Sequence, residues 1–185
     1  MTTLFARKQI RDVDQVKSPN VFLMGVAAGA GVLLLTAVAR VWPGNYLDLE
    51  TLIGSVFTDR IDPLTRKIGL VVFLLISGIS AFGYSFIFWS ARRSGAWIGA
   101  QLALFHYLIS GFLVGIFPAF HPHIPRLMVP PGFYMTNMGF TTSVMFFVAH
   151  IAYGALFGQL FDWAAIRDEF PQPISSTGRT IQNYR

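Results

Sequence analysis

Four long stretches of the sequence are apolar throughout and lack the regular polar positions of a helix or strand that faces water. They are Val21 to Val41, Ile68 to Ser90, Ala96 to Phe117 and Gly139 to Phe161, and none of them contains Asp or Glu. A helix of about 20 residues crosses the roughly 30 Å of hydrocarbon in a bilayer. Because backbone polar groups in lipid must be satisfied within the segment, each stretch is interpreted as a transmembrane helix. The pattern therefore predicts an all-α integral membrane protein, built as a four-helix bundle.

The ends of these stretches carry residues that start and stop helices. Asp62 followed by Pro63 is typical of an N-cap and the first helical residue. Pro118 ends the third stretch, since proline cannot continue a helix. The short basic segment Arg92 to Gly95 separates the second and third stretches, so we expect these two spans to form a tight hairpin.

The connector between the first two spans contains a further helical pattern. Its apolar residues recur with helical spacing and are Leu49, Leu52, Ile53, Val56 and Phe57. Glu50, Thr51 and Ser55 fall outside this apolar face. The pattern predicts a short amphipathic helix that lies in the membrane interface or packs against the bundle.

Composition supports lipid as the solvent for most of the chain. Apolar residues make up 54% of the 185 residues and charged residues only 12%, whereas soluble domains carry roughly 25% charge. The chain divides into a polar N-terminal tail at 1–20, a transmembrane domain at 21–162 and a polar C-terminal tail at 163–185. There is no cysteine, which excludes disulfides and iron–sulfur clusters.

The basic residues predict the orientation. Nine of the 14 Lys and Arg residues fall in the two tails and the Arg92–Arg93 turn, and five fall on the opposite side. The positive-inside rule then places both termini in the cytoplasm of a bacterial inner membrane. The net charge of +5 is accounted for by topology, and no nucleic-acid partner is predicted, because no basic face or stacking module accompanies it.

Small residues recur four positions apart in three of the spans and at their ends. The glycines concerned are Gly25, Gly29, Gly95, Gly99, Gly111, Gly115, Gly154 and Gly158. This spacing places both members of each pair on one helix face and allows close approach of backbones. The faces serve packing within the bundle, or docking onto another membrane subunit.

Two histidines lie near the middle of consecutive, antiparallel spans. His106 and His150 are thus predicted to reach the same membrane depth and to face each other. Two such imidazoles are suited to a b-type haem, a metal ion or a quinone carbonyl. The alternative is structural, with hydrogen bonds across helices to a serine or to Gln101, Tyr107 or Tyr153.

A second pair, His121 and His123, lies in the proline-rich segment from Phe120 to Pro131. In an extended chain their rings point the same way, but no carboxylate lies nearby in the sequence. We therefore predict no metal site here, and expect exposed histidines in a rigid interface loop.

No complete set of catalytic residues is present. All nine acidic residues fall at span ends or in connectors, which argues against coupled ion transport. There is no Gly-rich phosphate loop and no zinc-protease motif. An enzyme acting alone is not predicted.

The glycine- and alanine-rich first span, the segment LDLETLIGSVF and the last span AHIAYGALFGQLF resemble small, uncharacterised four-helix membrane proteins of bacteria. The resemblance implies a four-helix fold and an accessory role beside respiratory or photosynthetic complexes, without catalytic residues.

Three functions remain open at this point. The first is a non-catalytic accessory subunit of a membrane electron-transfer complex, which requires no cofactor and has the lipid bilayer and other membrane subunits as partners. The second is a haem- or quinone-binding membrane subunit that uses His106 and His150. The third is a small carrier or channel.

Overall fold

The computed structural model describes residues 18–167, so most of the predicted tails at 1–20 and 163–185 lies outside the described residues. This part of the chain is helical and contains no strand. The helices are α1 (Ser18–Ala39), α2 (Leu49–Gly54), α3 (Pro63–Ala91), α4 (Ala96–Ile116) and α5 (Phe140–Arg167). Two short 3-10 segments, Phe117–Ala119 and Phe133–Met138, lie between α4 and α5.

The prediction of an all-α protein with four membrane-length helices is confirmed. Helices α1, α3, α4 and α5 are each long and apolar enough to cross a bilayer. Less than half of the most apolar window of each helix is buried within the protein. The remaining apolar surface is what a bilayer would solvate.

The predicted start of α3 is confirmed in detail. The Asp62 carboxylate accepts hydrogen bonds from the backbone N–H groups of Leu64 at 2.9 Å and Thr65 at 3.0 Å. The Thr65 hydroxyl in turn accepts the backbone N–H of Asp62 at 3.2 Å. This reciprocal capping box satisfies N–H groups that have no partner within the helix.

The helices do not pack in the order of the chain. α4 packs along α5, α5 along α1, and α1 along α3, whereas α3 and α4 make little direct contact. The turn between α3 and α4 is short, as predicted, but these helices do not form a packed hairpin. The reason is that the small-residue face of α3 packs on α1 and that of α4 packs on α5.

Glycines set the close approach of α4 to α5. A Cβ on Gly99 would strike the backbone carbonyl of Gly154, and a Cβ on Gly158 would strike that of Gly95. On the other side of the bundle, a Cβ on Gly25 would lie 2.8 Å from the backbone oxygen of Ser77 in α3. Such approaches are available only to glycine.

The remaining glycines of the predicted packing set also face the chain itself. Gly29 lies against Ser77, and Gly111 and Gly115 lie against the rings of Tyr134 and Phe133. Seven of the eight glycines predicted from their spacing therefore face other parts of this chain. A Cβ on Gly95 would meet nothing within 4 Å, although the carbonyl of Gly95 lies against Gly158.

Helix α2 lies against α3 and is buried on its polar side. The backbones cross at Gly54 and Gly69, where a Cβ on either residue would meet the other helix. Glu50 and Ser55, which fall outside the predicted apolar face, are also buried, at 6% and 0% exposed. Partners from elsewhere in the chain satisfy both side chains.

An ionic network at one end of the bundle accounts for the burial of Glu50. The Arg40 guanidinium at the end of α1 contacts the Glu50 carboxylate at 2.5 Å and the Asp48 carboxylate at 3.4 Å. Asp48 also pairs with Arg66 of α3 at 2.6 Å. Four charges thus hold α1, α2 and α3 together.

Helix α5 extends beyond the predicted start of the C-terminal tail at residue 163 and continues to Arg167. Ala164 and Ala165 are strong helix formers. The side chain of Ala165 is buried in the core, beside Phe161. The helix therefore continues because its last turn still packs on the protein.

Candidate functional site

An opening in the transmembrane region lies where α3 and α4 do not pack against each other. It is a cavity of about 270 Å³, here called the α3–α4 cavity, and α5 forms its rear wall. Its polar lining consists of Ser77 and Ser80 on α3, His106 and Ser110 on α4, and His150 and Tyr153 on α5. The other lining residues are apolar, and no Asp, Glu, Lys or Arg lines it.

The cavity opens toward the lipid-facing surface between the two helices. Ile76 of α3 and Leu113 of α4 line it and are 47% and 53% exposed. Leu49 and Ile53 of α2 close one end. A molecule dissolved in the bilayer can therefore reach the cavity sideways without crossing water.

The two predicted span histidines meet in this cavity. The ring centroids of His106 and His150 are 5.0 Å apart, and the rings contact edge to face at 80°. The rings of Tyr84 and Tyr153 each lie 5.8 Å from that of His106. This geometry agrees with the prediction that the two imidazoles face each other.

One nitrogen of each histidine is held by the protein. Nδ1 of His150 donates to the backbone carbonyl of Phe146 at 2.8 Å. Nδ1 of His106 lies 3.1 Å from the hydroxyl of Tyr84 on α3.

Tyr84 was not among the hydrogen-bond partners that the sequence suggested for His106. Tyr153 was among them, but its hydroxyl group donates to the backbone carbonyl of Ser77. The available signal was that a tyrosine inside an apolar span needs a hydrogen-bond partner.

The other nitrogen of each histidine is uncommitted. Among the described residues, Nε2 of His106 and Nε2 of His150 make no hydrogen bond. Within residues 20–165, only two buried side-chain nitrogen or oxygen atoms lack a hydrogen-bond partner, Trp89 Nε1 and His123 Nδ1. The Nε2 atoms of His106 and His150 are not among them, so neither is fully enclosed by protein. Both Nε2 atoms therefore border open space, at the middle of the membrane spans.

The arrangement of the two imidazole rings can be compared with what each candidate ligand requires. A bis-histidine haem needs a macrocycle between the two rings, whereas these rings are in direct edge contact. Within the described part of the chain, no group of three or more His, Cys, Asp or Glu residues is placed to hold a metal ion. A small neutral head group that hydrogen-bonds to the rings fits the site best.

The histidines of the α4–α5 connection are not exposed, contrary to expectation. His121 and His123 are 5% and 7% exposed. Nε2 of His121 lies 3.1 Å from the Ser55 hydroxyl, and its Nδ1 accepts the backbone N–H of His123 at 3.2 Å. Nε2 of His123 donates to the backbone carbonyl of Thr58 at 2.6 Å. The prediction failed because α2 and the turn after it cover this loop.

The burial of His121 predicts a dependence of stability on pH. Desolvation lowers the pKa of His121 below its ordinary value of 6.5, and the neighbouring His123 adds to this effect. The neutral His121 ring therefore makes its full contribution to the unfolding free energy above pH 6.5, and this contribution is lost as the pH falls below 6.5. We expect the unfolding free energy to fall between pH 7.5 and 5, by at most about 1.4 kcal/mol per pH unit.

Thermal unfolding in detergent at several pH values measures this effect. The variant His121→Gln, which does not titrate, should have a lower melting temperature at pH 7.5 but a flatter pH profile. An unchanged slope in this variant would assign the pH dependence to another group.

The chain matches no protein-family model, no curated protein and no solved structure. The resemblance to small bacterial four-helix membrane proteins therefore stays a prediction. Function has to be inferred from the α3–α4 cavity and its histidines.

Proposed function

We propose that this protein binds a lipid-soluble quinone in the α3–α4 cavity, with His106 and His150 contacting the head group. One observation carries the proposal. Two imidazoles meet at 5.0 Å in an apolar cavity, and each leaves one ring nitrogen without a protein partner. Unpartnered polar atoms at mid-membrane are costly unless a ligand satisfies them.

The lining favours a neutral, largely apolar ligand. No charged side chain lines the cavity, so an ionic ligand would have to be buried without a counter-ion, at a high cost. A quinone presents an apolar ring and tail to the walls and oxygen atoms to the histidines. The opening beside Ile76 and Leu113 would leave room for the tail in the bilayer.

The membrane setting is proposed from the ligand class and the charge pattern. Quinones carry electrons in respiratory and photosynthetic membranes, so we propose that the protein serves beside such a complex. The docking argument for a purely structural subunit loses most of its support, because seven of the eight glycines face other parts of this chain. The excess of Lys and Arg on the side of the tails and the Arg92–Arg93 turn supports cytoplasmic termini in a bacterial inner membrane.

Quinone titration tests the proposal. Decyl-ubiquinone should quench the tryptophan fluorescence of the protein in lipid nanodiscs in a saturable way. His106→Leu should weaken the affinity about tenfold, the equivalent of one hydrogen bond of roughly 1.4 kcal/mol. Ser80→Phe, which places a ring in the cavity, should abolish binding.

Ser90→Phe is the matched control for Ser80→Phe. It makes the same substitution on the same helix, but Ser90 is exposed and lies outside the cavity. Its affinity for decyl-ubiquinone should equal that of the wild type. Failure of the wild-type protein to bind, or equal binding by the Ser80→Phe variant, would refute the proposal.

A further inference from the structure

We infer that the site selects the reduced, hydroquinone form of its ligand over the oxidised quinone. The inference rests on the proposed quinone site and concerns which oxidation state the two histidines recognise. It follows from the hydrogen-bonding roles of their free nitrogens. These roles are assigned from the partners of the other two ring nitrogens.

His150 presents a hydrogen-bond acceptor to the cavity. Its Nδ1 lies 2.8 Å from the backbone carbonyl oxygen of Phe146, and a carbonyl oxygen can only accept. Nδ1 therefore carries the ring proton. In the neutral imidazole, Nε2 is then an unprotonated acceptor.

His106 presents a donor. Its Nδ1 lies 3.1 Å from the hydroxyl of Tyr84, which is 6% exposed and has no other hydrogen-bond partner among the described residues. A buried hydroxyl proton needs an acceptor, and Nδ1 of His106 provides it. The proton of this imidazole is then on Nε2, where it can be donated to a molecule in the cavity.

A donor and an acceptor side by side match a hydroxyl group. The oxygen of a hydroquinone can accept from His106 Nε2–H while its proton is donated to His150 Nε2. Both rings line the same cavity, with their centroids 5.0 Å apart, and two hydrogen bonds to one oxygen require the two ring nitrogens to lie within about 6 Å of each other. A quinone carbonyl oxygen can accept the hydrogen bond from His106, but it has no proton to donate to His150. Its lone pairs then face the lone pair of His150 Nε2.

Selection of the reduced form has a measurable consequence. Whatever binds the hydroquinone more tightly stabilises it relative to the quinone. The midpoint potential of the bound pair then rises by about 30 mV for each tenfold preference in a two-electron couple. The protein would retain reduced ligand at a potential at which the free pool is oxidised.

Separate titrations of the wild-type protein with decyl-ubiquinol and decyl-ubiquinone test the inference, in nanodiscs and without oxygen. The hydroquinone should bind at least tenfold more tightly. His150→Leu removes the acceptor and should reduce this ratio to near one. Tyr84→Phe, a positioning change that frees the His106 ring to exchange its proton between nitrogens, should reduce the ratio without altering the cavity walls.

The outcomes separate the two proposals. Equal binding of both forms, or tighter binding of the quinone, overturns the inference but leaves the quinone site in place. If neither form binds, both proposals fail. Displacement of decyl-ubiquinol by geranylgeraniol at equal affinity would also overturn the inference, since the site would then recognise any membrane alcohol.

Discussion

Replacing Gly99 with leucine should lower the unfolding free energy by about 3 kcal/mol. Any side chain here meets the backbone carbonyl of Gly154 on α5, and the Cα of Gly158 lies 3.2 Å from the Cβ position. Backbone cannot move aside like a flexible side chain, so α4 and α5 would have to separate. Overpacking of this kind costs roughly 1–3 kcal/mol and sometimes more.

Unfolding in mixed micelles with increasing SDS, followed by circular dichroism, measures the loss. The matched control is Gly83→Leu, because nothing lies within 4 Å of a Cβ at Gly83. That variant should match the wild type to within about 0.5 kcal/mol. Equal destabilisation by the two leucines would show that α4 and α5 do not meet at Gly99.

Replacing Glu50 with alanine should lower the unfolding free energy by roughly 2–3 kcal/mol. The change leaves the partly buried Arg40 guanidinium, which contacts Glu50 at 2.5 Å, without its nearest counter-charge. Breaking a buried ion pair costs about 3–5 kcal/mol. The expected loss is smaller because Arg40 is 27% exposed and still has Asp48 at 3.4 Å.

The same unfolding assay serves here, with Asp59→Ala as control. Asp59 is an exposed acid in the same connector, so this variant makes the same charge change and should cost under about 0.5 kcal/mol. The double variant Arg40→Ala with Glu50→Ala should lose less than the sum of the two single variants. Additive losses would mean that the two charges are not coupled.

The sequence predicted the parts of the fold that the bilayer dictates. Span lengths follow from the thickness of hydrocarbon, so the four long helices could be read from apolar runs alone. The facing of His106 and His150 followed from their similar positions in consecutive antiparallel spans. The helix start at Asp62 is local, so Asp62 and Pro63 were enough to predict the N-cap, although not the reciprocal hydrogen bond from Thr65.

The sequence did not predict features that depend on which helices become neighbours. The burial of Glu50 was not predicted, because Arg40, which neutralises it, lies ten residues earlier in the chain, just after α1. His121 seemed exposed because Ser55, its partner, is 66 residues away in the chain. The α3–α4 cavity exists because α3 packs on α1 and α4 on α5, a choice that glycine spacing alone does not specify.

Nitrogen-15 NMR of histidine-labelled protein in nanodiscs tests the proposed ligand site most directly. The chain has four histidines, of which His106 and His150 line the cavity, while His121 and His123 are buried in the α4–α5 connection. Addition of decyl-ubiquinol should shift the Nε2 signals of His106 and His150 and leave those of His121 and His123 in place. Unchanged signals from the cavity pair at saturating ligand, or shifts confined to the connection pair, would contradict a quinone held between α3 and α4.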